Sequence, residues 1–332
     1  MDYDRAAERF LAQYSLKSAS IRLLGHSDKR VYKVVDEAGK CFVLGIYWPS
    51  GGEAYMRENA DYYRRAGIES EMRLLKALDA GAGLHTAVPV LAASGSFAQE
   101  LDIDGKPLCA TLLTYVDGHP MDAGDASFPA QCHEAGAVAA RLHNFADGAG
   151  EELLAGRPAL NRDYVRKCTG LIERGVFAGT IPRADFEALR EAEAILLGTM
   201  EELDASPCRA SGIIHTDLRA ANFLIGEGGA VIPVDFGRYA HGCYLYDLGE
   251  MCAHMGGEEI QRQILNGYRS VRPLHSRDIK HIEAFFMMFL YGVLAEFATR
   301  ADMQWLPDTI RDMTERYIPL YEADGFLSKT DI

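Results

Sequence analysis

The chain has 332 residues, 48% of them hydrophobic, enough to fill one large core or two lobes. Its formal net charge of −14 is the opposite of the basic footprint that nucleic-acid binding leaves, and suits a cationic small-molecule partner or plain solubility. Seven cysteines without a Cys-x-x-Cys pair argue for a reducing cytoplasm and against a disulfide frame or a zinc site. The acidic start, Met1-Asp2-Tyr3-Asp4, has no apolar core behind it, so no signal peptide is expected. The longest apolar run, 285–295, is too short for a membrane span, so no membrane partner is expected.

In chain order, residues 5–14 put Ala6, Phe10 and Leu11 on one side of an amphipathic helix. Strand texture follows at 21–24, 31–35 and 41–47, with turns at 25–28 and 36–39, which predicts a meander. A polar insert over 49–67 reads as a loop with a short helix. Ile68, Met72, Leu75 and Leu78 then recur at helical spacing, with Glu71 off that stripe. Strands are expected at 88–93 and 107–116, flanking a turn at 102–105. Gly118 and Pro120 punctuate a boundary, which places a sheet-rich lobe over 1–116 and a helical lobe over 117–332. In the second lobe helices are expected over 133–145, over 163–203 with Pro182 opening its second piece, and over 258–268, 276–300 and 306–323. Phe285 to Phe289 reads as core, and His143 as a core or capping histidine. Glu296 and Asp302, toward a helix end, are weak candidates to face a cationic substrate.

The chemistry concentrates between 212 and 250. Ile213 and Ile214 lead into His215-Thr216-Asp217, and Asn222 precedes a second apolar run, Phe223-Leu224-Ile225. After the turn 226–229, Val231-Ile232-Pro233-Val234 delivers Asp235-Phe236-Gly237. The pattern reads as a hairpin presenting Asp217, Asn222 and Asp235 at one edge. Oxygen ligands so spaced suit phosphoryl transfer, which needs a positioned hydroxyl and a metal ion on the phosphates. Asp217 is the candidate base, and Asn222 and Asp235 are the candidate Mg²⁺ ligands. His215 reads as structural, and Asp247 as the cap of a helix over 248–254.

The Asp-x4-Asn and Asp-Phe-Gly segments resemble those of the aminoglycoside phosphotransferase and choline kinase superfamily. HTDLRAAN is also similar to the catalytic loop of tyrosine kinases, but no Ala-Pro-Glu follows, and the chain reaches Tyr246-Asp247-Leu248 within twelve residues of Asp235. The resemblance implies a protein-kinase-like α+β fold of two lobes, Mg²⁺ with ATP or GTP as co-substrate, and a small-molecule hydroxyl as acceptor. It implies that Arg219 lies near the γ-phosphate, that Asp247 braces the catalytic loop, that Glu71, or failing it Glu69, orients a phosphate-binding lysine, and that Thr114-Tyr115-Val116 meets adenine through its backbone. It also exposes two departures. Thr216 stands where the family has glycine, and the third strand reads Val43-Leu44-Gly45-Ile46 where a lysine or arginine should face the phosphates. Lys29 or Lys33, on the preceding strand, are the candidates to replace that cation, as in kinases whose lysine has moved to this turn. A protein kinase and a nucleotide-binding module that has lost catalysis are the two other readings of the same residues.

Overall fold

The computed structural model describes residues 2–26, 29–47, 60–81, 83–206 and 210–327. Part of the turn expected at 25–28, most of the insert expected over 49–67, and Cys208 lie outside the described residues. The chain divides into two compact units, one of Met1–His119, Gly150–Arg157 and Gly226–Gly237, the other of Pro120–Ala149, Pro158–Ile225 and Arg238–Ile332. Two short segments from beyond residue 116 thus join the first unit, which a single cut there does not include.

The first unit is built on an antiparallel sheet of strands β1 (Ser18–His26), β2 (Lys29–Asp36), β3 (Cys41–Tyr47), β4 (Ala98–Ile103) and β5 (Lys106–Thr114), in the order β1-β2-β3-β5-β4. The β2–β3 turn is set by Asp36, whose Oδ1 accepts from the N–H groups of Ala38 and Lys40 at 2.9 and 2.8 Å. Strand alternation then sorts the faces. Tyr32, Val34, Phe42, Leu44 and Ile46 turn to one side and meet Phe10 and Leu11 of helix α1 (Tyr3–Gln13), all buried in one cluster. Each such aliphatic or aromatic side chain contributes about 1.5–3 kcal/mol on leaving water. Asp2 caps α1 by accepting from the Arg5 N–H. The other face carries Lys29, Gly45, Tyr47 and Thr111, with Lys29 opposite Tyr47 and Gly45 opposite Thr111. Tyr47 packs there on Ile68 of helix α2 (Arg65–Gly81) and on Ala98.

The strand expected at 88–93 is not one. Pro89 offers no N–H to a ladder, so that segment makes a single bridge to Leu113 and isolated bonds from Val90 and to Val88. The partner of β5 is β4, whose sequence Ala-Gln-Glu-Leu-Asp-Ile hides as a strand because Glu100 and Asp102 occupy the solvent side of an edge.

The second unit is helical. Helix α3 (Phe128–Ala146) is followed by α4 (Arg162–Ala178), capped by Asn161 and ended by Gly179 in the left-handed region, and by α5 (Arg183–Ala205). Strand β6 (His119–Pro120) lies at the passage between units, and β7 (Ser211–Ile214), β8 (Phe223–Ile225), β9 (Val231–Pro233) and β10 (Ala240–Cys243) flank the chemistry-bearing loops. β7 and β10 pair antiparallel, Ile214 opposite Ala240. Then come α6 (Leu245–Met255), α7 (Glu258–Arg269) and α8 (Asp278–Phe297). In α8, Phe285, Phe286, Met287 and Met288 are buried, as core reading requires. The helix expected over 306–323 is broken into α9 (Leu306–Arg311), a π-helical turn over Asp312–Tyr317, and α10 (Ile318–Ala323). Among the described residues no helix is long and apolar enough to cross a membrane.

Candidate active site

Buried Ile213 and Ile214 end β7 and fix where the loop begins. His215 follows, fully buried, and Thr216 takes φ +61°, a conformation that a β-branched residue adopts only at a cost of order 1–3 kcal/mol. That cost explains why glycine suits the position, and the surrounding bonds explain why threonine is held there. The N–H groups of His215 and Thr216 donate to the two oxygens of Asp247 at 2.9 and 3.0 Å, and the Thr216 hydroxyl donates to the Arg238 carbonyl at 2.6 Å.

Asp247 is therefore not a helix cap. It sits inside the first turn of α6, where its charge also meets the helix dipole favourably, and it does the bracing that the resemblance implied. Its own place is fixed by His143, whose Nε2 lies 3.0 Å from Oδ2 while Nδ1 lies 3.0 Å from the Tyr268 hydroxyl. In the ring's neutral form, donation from Nε2 to Asp247 leaves Nδ1 to accept from the Tyr268 hydroxyl. Tyr244 stacks on the His143 ring at 4.4 Å, and Tyr244, His143, Asp247 and Tyr268 are all buried.

Asp217 projects beyond the braced loop with its side chain 18% exposed. The Asn222 amide nitrogen donates to the Asp217 backbone carbonyl at 2.8 Å and to Oδ2 at 2.7 Å, and Arg219 Nε lies 3.2 Å from Oδ1. Asn222 thus uses its nitrogen to orient the carboxylate, leaving its amide oxygen as the atom that suits a hard cation. Arg219 lies on the candidate base. Beneath them Glu250, buried in α6, accepts from the Leu218 N–H at 3.3 Å. Burial, with Asp217 and then Asp247 nearby, pushes its carboxyl well above the usual range. Asp217, Glu250 and His254 bring one ligand atom each within 4.8 Å of one another.

In the first unit Asp235 follows β9, also in the left-handed region at φ +63°. Its Oδ1 lies 3.0 Å from Lys29 Nζ. Burial alone would lower the lysine pKa, but Asp235, with Tyr47 and Glu71 near it, outweighs this and holds it well above the ordinary value. Gly45 lies against this arrangement: a Cβ there would stand in ordinary contact, 3.6 Å, with Lys29 Cδ, so the lysine stem runs beside the place where a β3 side chain would begin. Lys33 goes elsewhere, its Nζ resting 3.8 Å over the Tyr115 ring. Glu71 is buried rather than solvated and accepts from the Tyr47 hydroxyl at 3.3 Å, whereas Glu69 is engaged by Ser96 and the Ala98 N–H. Of the residues expected to meet adenine, Thr114 and Tyr115 spend their N–H groups on the carbonyls of Val88 and Cys41, so backbone donation to a base would fall to Val116. Glu296 pairs with Arg238, and Asp302 with Arg300.

Two residues escaped the sequence reading. Tyr47 carries no motif, and Arg157 reaches the site only because 150–157 folds back into the first unit, where it donates to the Gly237 carbonyl at 2.7 Å. No local signal marks either.

A sheet-rich unit with a helical companion, a loop carrying Asp217 and Asn222, and Asp235 after β9 define a protein of the kinase-like α+β class. The profile of the phosphotransferase enzyme family (APH) matches residues 20–276, and the chain belongs to that family. A curated homoserine kinase from Neisseria meningitidis serogroup B is 27% identical over 210 residues, 59% of this chain and 60% of that enzyme, so the match spans well under the relative's full length. Among solved structures, a microcompartment-associated aminopropanol kinase superposes with TM-score 0.73 at 21% identity, covering 96% of both chains. An amicoumacin kinase in complex with AMP-PNP, Ca²⁺ and Ami does so with TM-score 0.74 at 19% identity, covering 99% of this chain and 96% of the other.

Proposed function

We propose that the protein transfers the γ-phosphoryl group of ATP or GTP to the hydroxyl of a small amino-alcohol. The observation that carries the reading is Lys29: in a chain with glycine at the usual cation's place on β3, a lysine from β2 stands on Asp235 with buried Glu71 nearby. Lys29 takes the nucleotide phosphates and Glu71 sets its field; Lys33, on Tyr115, is left to the base end. Asp217 accepts the acceptor's proton, held to the task by Asn222, and Arg219 offers its exposed guanidinium to the departing phosphoryl oxygens.

The oxygen donors present, the Asp235 carboxylate and the Asn222 amide oxygen, fit Mg²⁺. When bound, Mg²⁺ neutralises phosphate charge. The acceptor class rests on the names homoserine kinase and aminopropanol kinase among the similar proteins, since homoserine and aminopropanol each carry an amine and a hydroxyl.

The test is turnover of a panel of amino-alcohols with labelled ATP and GTP, run with Lys29→Ala and Lys40→Ala. Lys29→Ala should raise the nucleotide KM at least tenfold, the loss of a charge-assisted contact of about 1.5–3 kcal/mol, while Lys40→Ala stays near wild type. Equal small effects in both would remove the lysine assignment, and no turnover of any acceptor would favour a binding module.

A further inference from the structure

Lys29 reaches its place from β2 and carries a long, flexible stem, so something must hold its amine against the entropy of that stem. Its ion pair with Asp235 fixes one side. On the other side stands Tyr47, directly opposite on β3, with Lys29 Nζ 5.5 Å from its ring centroid. The ring is almost wholly buried, and its hydroxyl donates to Glu71 Oε2 at 3.3 Å and lies 3.5 Å from Thr111 Oγ1. Glu71 in turn is 3% exposed, and a buried carboxylate needs a donor. The lysine and the glutamate flank Gly237: a Cβ built there would lie 3.8 Å from Lys29 Nζ and 3.9 Å from Glu71 Oε2. One phenol therefore meets both charged groups. We infer that Tyr47 is a positioning residue for nucleotide binding, its ring holding the Lys29 ammonium and its hydroxyl holding the Glu71 carboxylate in register with it. The inference rests on the reading of Lys29 as the phosphate lysine.

Geometry and chemistry agree on the direction of these bonds. Burial, then the nearby Glu71 charge, push the phenol's pKa above its ordinary value, so it remains a donor near neutral pH. A cation within about 6 Å of an aromatic face is attracted to it, more strongly when desolvated. A merely structural Tyr47 would serve equally through its packing on Ile68 and Ala98, which needs no hydroxyl.

The test is direct calorimetric binding of ATP with Mg²⁺, together with nucleotide and acceptor KM, for wild type, Tyr47→Phe, Lys29→Ala and the double variant. Tyr47→Phe keeps the packing and removes the hydroxyl. It should weaken nucleotide binding and raise nucleotide KM by roughly three- to tenfold, the size of one hydrogen bond, and leave acceptor KM unchanged. In the Lys29→Ala background it should add little, because the group it positions is gone. Unchanged affinity in Tyr47→Phe, or a loss that adds fully to that of Lys29→Ala, overturns the inference while the lysine reading stands. Unchanged affinity in Lys29→Ala overturns both. If Tyr47→Phe does not fold, Tyr47→Phe/Glu71→Gln spares the core an unpaired carboxylate; wild-type affinity in that double variant overturns the inference too.

Discussion

At the scale of single residues, the site spends backbone strain and buried charge and recovers each through identifiable bonds. Thr216 is the clearest case. Its φ of +61° favours glycine, but its hydroxyl bonds the Arg238 carbonyl. Thr216→Gly relieves the first and loses the second, so its unfolding free energy should stay within about 1 kcal/mol of wild type. Thr216→Val keeps the strain, loses the bond and should cost about 1–3 kcal/mol, read by denaturant unfolding. Glu250 carries a different cost. Its folded pKa is raised by burial first, and by Asp217 and Asp247 after that. For a carboxyl, the folded state then binds more protons than the unfolded state once pH exceeds about 4.5, so stability falls as pH rises, by at most ~1.4 kcal/mol per pH unit, until the folded group ionises. Glu250→Gln removes that titration and keeps an oxygen for the Leu218 N–H. Its midpoint should match or fall below wild type at pH 4 and exceed it at pH 8; a constant difference between the two proteins across that range would contradict the assignment.

At the scale of elements, helix packing in the second unit depends on glycines at one crossing. Gly136 of α3 meets the Ile264 carbonyl of α7, and Gly267 of α7 meets the His133 carbonyl of α3, each so closely that a Cβ would collide with backbone. Backbone cannot step aside as a side-chain end can. Gly267→Ala should therefore destabilise by about 2–4 kcal/mol, whereas Gly198→Ala, on an open face of α5 with nothing within 4 Å, should stabilise by about 0.5–1 kcal/mol, both by denaturant unfolding. This crossing was invisible in the sequence, because glycine inside a helix looks like a weakness until its neighbour is known. The elements that were legible are those whose signal is local: the α1 stripe of Ala6, Phe10 and Leu11, the β2–β3 alternation, and the apolar run of α8. The motif residues from His215 to Asp247 were legible because spacing along the chain carries the chemistry. What failed was non-local. A strand does not form at 88–93 because Pro89 cannot donate, edge-strand acids hide β4, and Asp247 reads as a helix cap because its partners lie about thirty residues away in the loop.

At the scale of the whole molecule, the site residues divide between the two units. Lys29, Glu71 and Asp235 belong to the first, and Asp217, Arg219 and Asn222 to the second. The proposed nucleotide contacts are thus mostly built on the sheet, and the proposed acceptor chemistry on the helices. Substitutions should separate the same way. Asp217→Asn removes the base and leaves Lys29, Glu71 and Asp235 as they are, so turnover should fall by orders of magnitude while nucleotide still stabilises the protein. Asp235→Asn removes a charge from both the lysine and the metal, so the stabilisation by nucleotide should lose its dependence on Mg²⁺. A ligand at a hundred times its Kd adds about 2.7 kcal/mol, and at the usual unfolding entropy per residue this is a rise of about 4 °C for a chain of this length unfolding as a whole. Thermal unfolding of wild type and both variants with ATP or GTP, each with and without Mg²⁺, reads all of this at once. A Mg²⁺-dependent rise in wild type and Asp217→Asn, and a Mg²⁺-independent response in Asp235→Asn, is the expected pattern. A rise lost in Asp217→Asn would mean that Asp217 itself takes part in holding the nucleotide, beyond the contacts proposed for Asn222 and Arg219 of the same loop, and its assignment as the base alone would have to be given up.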